Sequence, residues 1–461
     1  MGQKQVGKIQ SAQPPLNYLG PQYSPRLTRW VHRLIPFWMR RTTDVQDVTA
    51  VNLAALVRAY EQFEAGQIRL VLAFRHPSVN DPLAIGYLLS QLMPQAAAQQ
   101  GTRLRRPIHA HFMYDRGVPL WAGDALGWLF ARLGGSSIRR GKLDRPGLKS
   151  ARELLVNGQL PFMAAPEGAT NGHSEVVAPL EPGVAQLAFW CAEDLAKAGR
   201  SERVVIVPIG LQYQYQGNCW RQVEKLLTDL EAQMGILHPD RGVTDQSLMY
   251  PRLYDLGEEI LGMMERHYDR FYHQNLTPLA ADLAPEERFA QRLQRLLNAA
   301  LSAAESQFNL SPQGTMVDRC RRLEQTAWDR IYRDDVDLEQ LPQLERRLAD
   351  RVATESQLHL WHMRLVESFV SVTGSYVREK PTLERFAETL LITWETVVRI
   401  GGERNSLKRP RLGPQTARVT IGQPIDLTDR YASYQTNRRQ AKQAVESLTQ
   451  DLQTALESMI V

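Results

Sequence analysis

Apolar positions along the chain fall into two alternating patterns. The run Leu70-Val71-Leu72-Ala73-Phe74 is continuous and short, as expected of a buried strand. A polar stretch, Arg75-His76-Pro77-Ser78-Val79-Asn80-Asp81-Pro82, follows it and leads into an apolar-periodic segment over 83–93 that reads as a helix. Further strand-like runs occur at 108–113, 159–165 and 203–213, with a shorter one at 136–139. Helical patterns at 82–93, 120–133, 145–156 and 184–198 separate them. This alternation over 46–220 predicts an α/β fold with a largely parallel or mixed sheet flanked by helices.

Elsewhere the pattern is helical. Residues 1–23 are polar with Pro14, Pro15 and Pro21, and are expected to form an extended or flexible arm. Ser24-Pro25 then reads as a helix start. Leu27, Trp30, Val31, Leu34 and Trp38 form a stripe at helical spacing, and Pro36 is expected to end or kink that helix. Residues 221–410 are mostly helix, clearest where Phe289, Leu293, Leu296, Leu297, Ala300, Leu301, Ala304 and Phe308 share a stripe, and again over 383–400. Residues 418–425 read as a strand and turn, and 438–459 as a last helix. Residues 221–410 are thus either a large all-helical insertion, with the core resuming over 411–461, or a second helical domain ending in its own hairpin.

Composition changes this picture little. With 461 residues, 43% hydrophobic and 23% charged, the chain can bury a large core. Its apolar runs are too short and interrupted to span a bilayer. Cys191, Cys219 and Cys320 lie far apart, which fits a reducing compartment and argues against a disulfide framework or a cysteine metal site. The basic residues interrupt every apolar run near the N-terminus, so no secretory signal is expected. An acid-free basic start fits an organelle transit peptide, but this one is Pro-rich and Ser-poor.

Charge is more informative. Residues 1–43 carry Lys4, Lys8, Arg26, Arg29, Arg33, Arg40 and Arg41 and no acidic residue, so the +5 net charge belongs to this region. Arginines and tryptophans beside an apolar stripe suit a helix lying on an anionic membrane surface. They equally suit a helix packed on the protein's own core with its arginines solvated. No nucleic-acid motif accompanies the charge, and nucleic acid is not expected as a partner. The expected divisions are 1–45, 46–220, 221–410 and 411–461.

Four short motifs carry candidate chemistry. Five residues along a helix would put His76 and Asp81 on different faces, and the proline after Asp81 disfavours helical backbone there. Asp81 is therefore predicted as the N-cap, with Pro82 opening the helix and His76 on the loop before it. On that loop the imidazole can turn back to the carboxylate, leaving its other nitrogen as a general base. The spacing is common by chance, and Asp81 as a mere cap remains open. Gly134-Gly135-Ser136-Ser137-Ile138-Arg139-Arg140 places two guanidinium groups, suited to phosphate or carboxylate, after close-approach glycines. It also reads as a solvated basic turn. Pro166-Glu167-Gly168 holds a carboxylate at a strand end, where it can orient a hydroxylated substrate, pair with an arginine or sit in an ordinary turn. Pro208 lies inside an apolar strand and either shapes a pocket wall or marks a sheet edge. His267, His273, His359 and His362 show no metal-like clustering.

Taken in order, the four blocks resemble the 1-acylglycerol-3-phosphate acyltransferase family of glycerolipid synthesis, over about residues 65–215. The resemblance implies acyl transfer from acyl-CoA or acyl carrier protein to a lysophospholipid, with no cofactor beyond that thioester and no metal. His76 is then the base and Asp81 its partner. Arg139 and Arg140 would bind the acceptor phosphate, Glu167 and Gly168 would position the acceptor, and Pro208 would line the acyl site. It also implies a peripheral protein on the cytoplasmic face of a membrane. Gly422-Gln423-Pro424-Ile425 and the last helix resemble the closing segment of the family's domain, which favours the insertion. Two departures stand out. Gly168-Ala169-Thr170-Asn171 lacks the family's arginine, and Arg75 stands where the first block usually has asparagine, so Arg75 is a candidate for the missing charge. Another lysolipid headgroup, or an inactive interaction protein on the same fold, are the readings these departures leave open.

Overall fold

The computed structural model describes residues 11–139, 144–236, 246–276, 283–369, 375–401 and 408–461. The chain divides into two compact units. One comprises 18–139, 144–216 and 413–461, and the other contains residues 11–17 and the described part of 217–412.

The first unit is built on an eight-stranded sheet in the order β1-β7-β6-β2-β5-β3-β4, with β8 also paired to β6. The strands are β1 (Val45–Val51), β2 (Ile68–Phe74), β3 (His111–Asp115), β4 (Gly135–Ile138), β5 (Phe162–Ala164), β6 (Arg203–Tyr215), β7 (Gln415–Ile421) and β8 (Ile425–Asp426). β6, β2, β5, β3 and β4 are mutually parallel, so their C-terminal ends share one edge of the sheet. β7 runs antiparallel to β6 and parallel to β1. The sheet is therefore mixed and mostly parallel, as the alternation predicts. β1 is the strand the sequence reading misses: Val45-Gln46-Asp47-Val48-Thr49 alternates weakly and buries only Val45 and Val48.

Helices cover both faces. α1 (Pro25–Thr42), α2 (Leu53–Glu64), α3 (Asp81–Tyr87) and α4 (Met93–Gln99) lie on the face to which Leu70, Leu72, Val205, Val207 and Ile209 point. α5 (Val118–Ala122) and α6 (Asp124–Arg132) follow β3. α7 (Arg145–Asn157) and α8 (Gly183–Lys197) cover the opposite face with Val71, Ala73, Val204 and Ile206. Residues alternating along β2 and β6 thus feed two cores, the pattern of a sheet buried on both sides.

Local departures have physical causes. The helix expected over 82–93 continues to Gln99 through a π-turn, Leu88–Leu92, that accommodates Pro94, which has no N–H to give. The helix expected over 120–133 breaks at Gly123, whose φ of 90° only glycine adopts readily. Pro36 does not end α1. It frees the His32 carbonyl, which instead accepts a hydrogen bond from Gln91 Nε2 at 3.2 Å. Nor is the expected stripe the buried one: α1 buries Thr28, Val31, His32, Ile35 and Met39 and leaves Trp30, Leu34, Phe37 and Trp38 exposed. Leu19 and Gln22, expected in a loose arm, hydrogen-bond Ser137 and Ala131. α1 and β1 belong to the same compact unit.

The second unit is helical: α9 (Trp220–Gln233), α10 (Gln246–Tyr272), α11 (Pro285–Phe308), α12 (Met316–Ile331), α13 (Gln343–Phe369), α14 (Tyr376–Glu379) and α15 (Leu383–Ile400). α11 buries the stripe expected from Leu293 to Phe308. Buried ion pairs such as Arg319 with Glu305 at 2.7 Å tie its helices together. The chain then re-enters the sheet as β7 and closes with α16 (Thr428–Thr436) and α17 (Arg438–Glu457). Among the described residues no helix is long and apolar enough to cross a membrane.

Candidate active site

The site lies where β2 ends. Phe74 is the last strand residue, and the Arg75 N–H still pairs with the Ile209 carbonyl of β6 at 2.9 Å. The chain then turns, and α3 opens at Asp81. The cap residue is Asn80 rather than Asp81, and Asp81 occupies the first helical position. Its side chain is consequently aimed back at the loop instead of at the first turn of α3.

Asp81 is fully buried and accepts three hydrogen bonds. His76 Nδ1 lies 2.8 Å from Oδ2, the Ser78 N–H reaches the same oxygen at 3.0 Å, and the Tyr213 hydroxyl donates to Oδ1. Burial, with the Asp81 carboxylate beside it, raises the Tyr213 pKa well above its ordinary value, so the phenol remains a donor. The contact to Asp81 makes His76 Nδ1 the protonated nitrogen and leaves Nε2 with its lone pair. Among the described residues no group hydrogen-bonds Nε2. The His76 side chain is 24% exposed, so the lone pair is accessible. Phe74 packs edge-on against the imidazole, with ring centroids 5.8 Å apart.

Glu167, after β5, reaches the same loop. Its Oε1 accepts the His76 N–H at 2.8 Å, and its Oε2 accepts Asn171 Nδ2 at 3.0 Å and the Ala178 N–H at 2.9 Å. Arg75 Nε stands 3.7 Å from Oε1. Both carboxylate oxygens thus hold scaffold groups. Gly168 makes the turn that allows this, with φ +72°. Glu167 fixes the main chain that carries His76, and of the expected roles the structure displays arginine pairing.

Arg75 does not present its charge to a ligand. It is 1% exposed and donates to the carbonyls of Ser174, His173 at 3.0 Å and Val176 at 2.5 Å. Asn171, three residues past Gly168, bridges Glu167 to the Val176 carbonyl at 2.6 Å. Together they pin the 171–178 loop over the end of β5.

Arg139 lies on the same sheet edge, just past β4, and its N–H donates to Asp144 Oδ2 at 2.8 Å. Asp144 caps α7 and pairs with the buried Arg116 guanidinium. Arg140 lies outside the described residues. β2 and β4 are three strands apart, about 14 Å at the backbone. The close approach at Gly134 and Gly135 is taken by His111 and Phe112: a Cβ on either glycine would meet them at 2.7 Å.

Pro208 is internal rather than at a sheet edge. It pairs with Ala73 of β2, and on its other side the partner changes from β8 to β7. A proline fits there because it sits in the gap between those two strands. Its carbonyl accepts the Gly422 N–H at 2.9 Å.

Sequence reasoning misses Tyr213, Asn171, Ser174, Arg116 and Asp144. Asn171 acts locally, but the others act across longer stretches of chain: Ser174 Oγ accepts the Tyr213 N–H at 3.2 Å, and Tyr213 lies 132 residues from Asp81. Tyr213 extends the apolar alternation of β6, and only that strand's projection past the end of β2 signals that its side chain reaches α3. No group of His, Cys, Asp and Glu among the described residues is arranged to hold a metal ion.

No protein-family model matches the chain, and no curated protein matches its sequence.

Proposed function

We propose that this protein transfers an acyl group from a thioester to the free hydroxyl of a lysophospholipid, with His76 as general base. The observation that carries the proposal is the pairing of His76 Nδ1 with the buried Asp81 carboxylate at 2.8 Å beside an accessible Nε2. It lies at the C-terminal edge of a parallel sheet, where α/β proteins place their chemistry.

The chemistry follows from the proton's position. An alcohol attacks a thioester poorly until its proton is removed. Nε2 takes the acceptor's hydroxyl proton as the new C–O bond forms at the thioester carbonyl. Asp81 stabilises the imidazolium so produced, and the tetrahedral adduct collapses as the C–S bond breaks. The departing thiolate takes the proton back from His76. No covalent acyl-enzyme is needed, so no serine or cysteine nucleophile is assigned. Glu167 and Gly168 hold the His76 loop at the acceptor site, Pro208 lies one residue inside the sheet edge on the acyl side, and the phosphate is assigned to Arg139 with Arg140. In this reading a guanidinium side chain and a glycerophosphate together have to reach across the three strand spacings from β4 to β2. Arg75 and Asn171 are occupied with the loop, which makes the headgroup the open variable.

The test is release of free thiol from acyl-CoA and, separately, from acyl carrier protein. Lysophosphatidate and lysolipids with other headgroups serve as acceptors. Acceptor-dependent release that is lost in His76→Ala is the expected result. Release that survives His76→Ala overturns the mechanism, and absence of release with every acceptor overturns the activity.

A further inference from the structure

The outward face of α1 carries large apolar side chains that the fold does not use. Trp30 and Phe37 are 64% and 61% exposed, and Leu34 and Trp38 are exposed beside them. The buried face is Thr28, Val31, His32, Ile35 and Met39. At 100° per residue, Trp30 and Phe37 project nearly opposite to it. Arg26, Arg29, Arg33, Arg40 and Arg41 flank them, and α1 contains no acidic residue. A solvated surface helix would carry polar side chains at the two positions farthest from the core.

The same chemistry continues onto a neighbouring helix. Trp128 of α6 is 54% exposed, and the Arg132 guanidinium stacks over its ring at 5.3 Å. The Arg132 carbonyl accepts the N–H of Ser24, the α1 cap, at 2.8 Å. A tryptophan–arginine pair therefore adjoins the start of a helix that carries two more tryptophans, a phenylalanine and five arginines.

Topology fixes where this face lies. β1 is antiparallel to β2, so it begins at the sheet edge where β2 ends. α1 leads directly into β1, which puts its C-terminal half, with Phe37 and Trp38, at the edge that carries His76. Contact with α3 agrees: a Cβ on Gly86 would lie 2.7 Å from Ile35, so the two helices approach closely just behind Asp81. Val79, on the His76 loop itself, is also largely exposed.

We infer that α1 seats the protein on an anionic lipid bilayer surface, with Trp30, Phe37 and Trp38 inserted at the headgroup level, the arginines on lipid phosphates and the His76 edge facing the membrane. Bulky aromatics projecting from a basic, acid-free helix are complementary to such a surface in both respects. A soluble acidic partner would satisfy the arginines but not an aromatic row without a groove to receive it. The inference does not rest on the catalytic reading.

The experiment is co-sedimentation of the full chain with vesicles of phosphatidylcholine alone and with added phosphatidylglycerol, beside the variants Trp30→Glu/Phe37→Glu and Arg26→Gln/Arg29→Gln/Arg33→Gln. Neither variant touches the buried face of α1, and thermal melts check that both remain folded. Wild type is expected to bind anionic vesicles, less so at high salt. The arginine variant should lose about a hundredfold in affinity, from roughly 1 kcal/mol per basic residue. The aromatic variant should lose binding at low and high salt alike. Tryptophan fluorescence of wild type should shift to the blue on binding, and the shift should shrink in Trp30→Phe/Trp38→Phe. Failure of wild type to bind, or unchanged binding by the aromatic variant, overturns the proposal. So does a wild-type dimer that Phe37→Glu dissociates without any vesicle binding. Thiol release with a water-soluble short-chain acceptor separates this from catalysis, because the aromatic variant should retain it.

Discussion

Tyr213 donates its hydroxyl proton to the Asp81 oxygen that His76 does not use. The strand that carries Tyr213 outruns its neighbour by several residues, and that overhang places the phenol above the start of α3. The carboxylate is thereby held from the loop side and the sheet side at once. Tyr213→Phe should keep the fold, lose about 1–3 kcal/mol of stability as a buried hydrogen bond is broken, and lower kcat more than it raises KM. Denaturant melts beside steady-state kinetics check this. A Phe variant with unchanged kcat would remove Tyr213 from the positioning of the base.

Asp81→Asn should lower the rate by about 10²–10⁴. The amide retains the shape but offers no charge to the imidazolium. His76→Ala should lose at least as much, and the double variant no more than His76→Ala alone, because the two act as a unit. Single-turnover thiol release measures all three.

Arg75 and Glu167 make a sharper stability test. Arg75→Met keeps length and burial but leaves Glu167 without the cation 3.7 Å away and frees three carbonyls of the 173–176 segment. A loss of about 3–5 kcal/mol is expected, with proteolysis of the 171–178 loop as a local readout. A loss below 1 kcal/mol would mean that the latch contributes little.

Acid should loosen the attachment of α1. His109 Nε2 donates to the Leu133 carbonyl at 2.9 Å, and with that ring neutral its Nδ1 can accept from His32 Nε2, 3.3 Å away. Burial pushes His32 down to about 4 and His109 down to about 3, from 6.5. As pH falls below 6.5 the unfolded chain takes up protons that the folded chain refuses, so stability falls. The contribution is about 3 kcal/mol for His32 and about 5 kcal/mol for His109 at most, fully present above pH 6.5 and lost progressively as pH falls to about 4 and about 3 respectively. His32→Gln should flatten this part of the stability profile.

Much of this was legible in the sequence because it was local. His76, Asp81 and Glu167 follow apolar runs that commit to strands, and a short strand followed by a polar turn locates a sheet edge without further information. What was not legible depended on partners distant in sequence. Arg75 looked like a ligand-binding cation because nothing nearby shows that residues 173–176 fold over it. The Pro208 pattern suggested an edge because the gap between β8 and β7 is supplied by chain 200 or so residues away. In α1 the larger residues, Trp30 and Leu34, marked a stripe, yet the small and polar Thr28 and His32 are buried instead. Side-chain size misleads where a helix packs closely on a glycine such as Gly86 and pairs its histidine with another.

The late arrival of β7 has a consequence for biogenesis. β7 lies between β1 and β6, and about 200 residues of chain separate it from the end of β6. At roughly 5–20 residues per second, a ribosome needs some 10–40 s to make that stretch. Throughout this interval the nascent sheet has an open edge on β6, and β1 has no neighbour to pair with. Open strand edges recruit other strands. The helical unit is synthesised in that window, so the sheet cannot be completed until residues 415–421 emerge behind it. A chain stopped at residue 410 should therefore aggregate on release, whereas supplying residues 411–461 as a separate peptide during release should restore soluble protein.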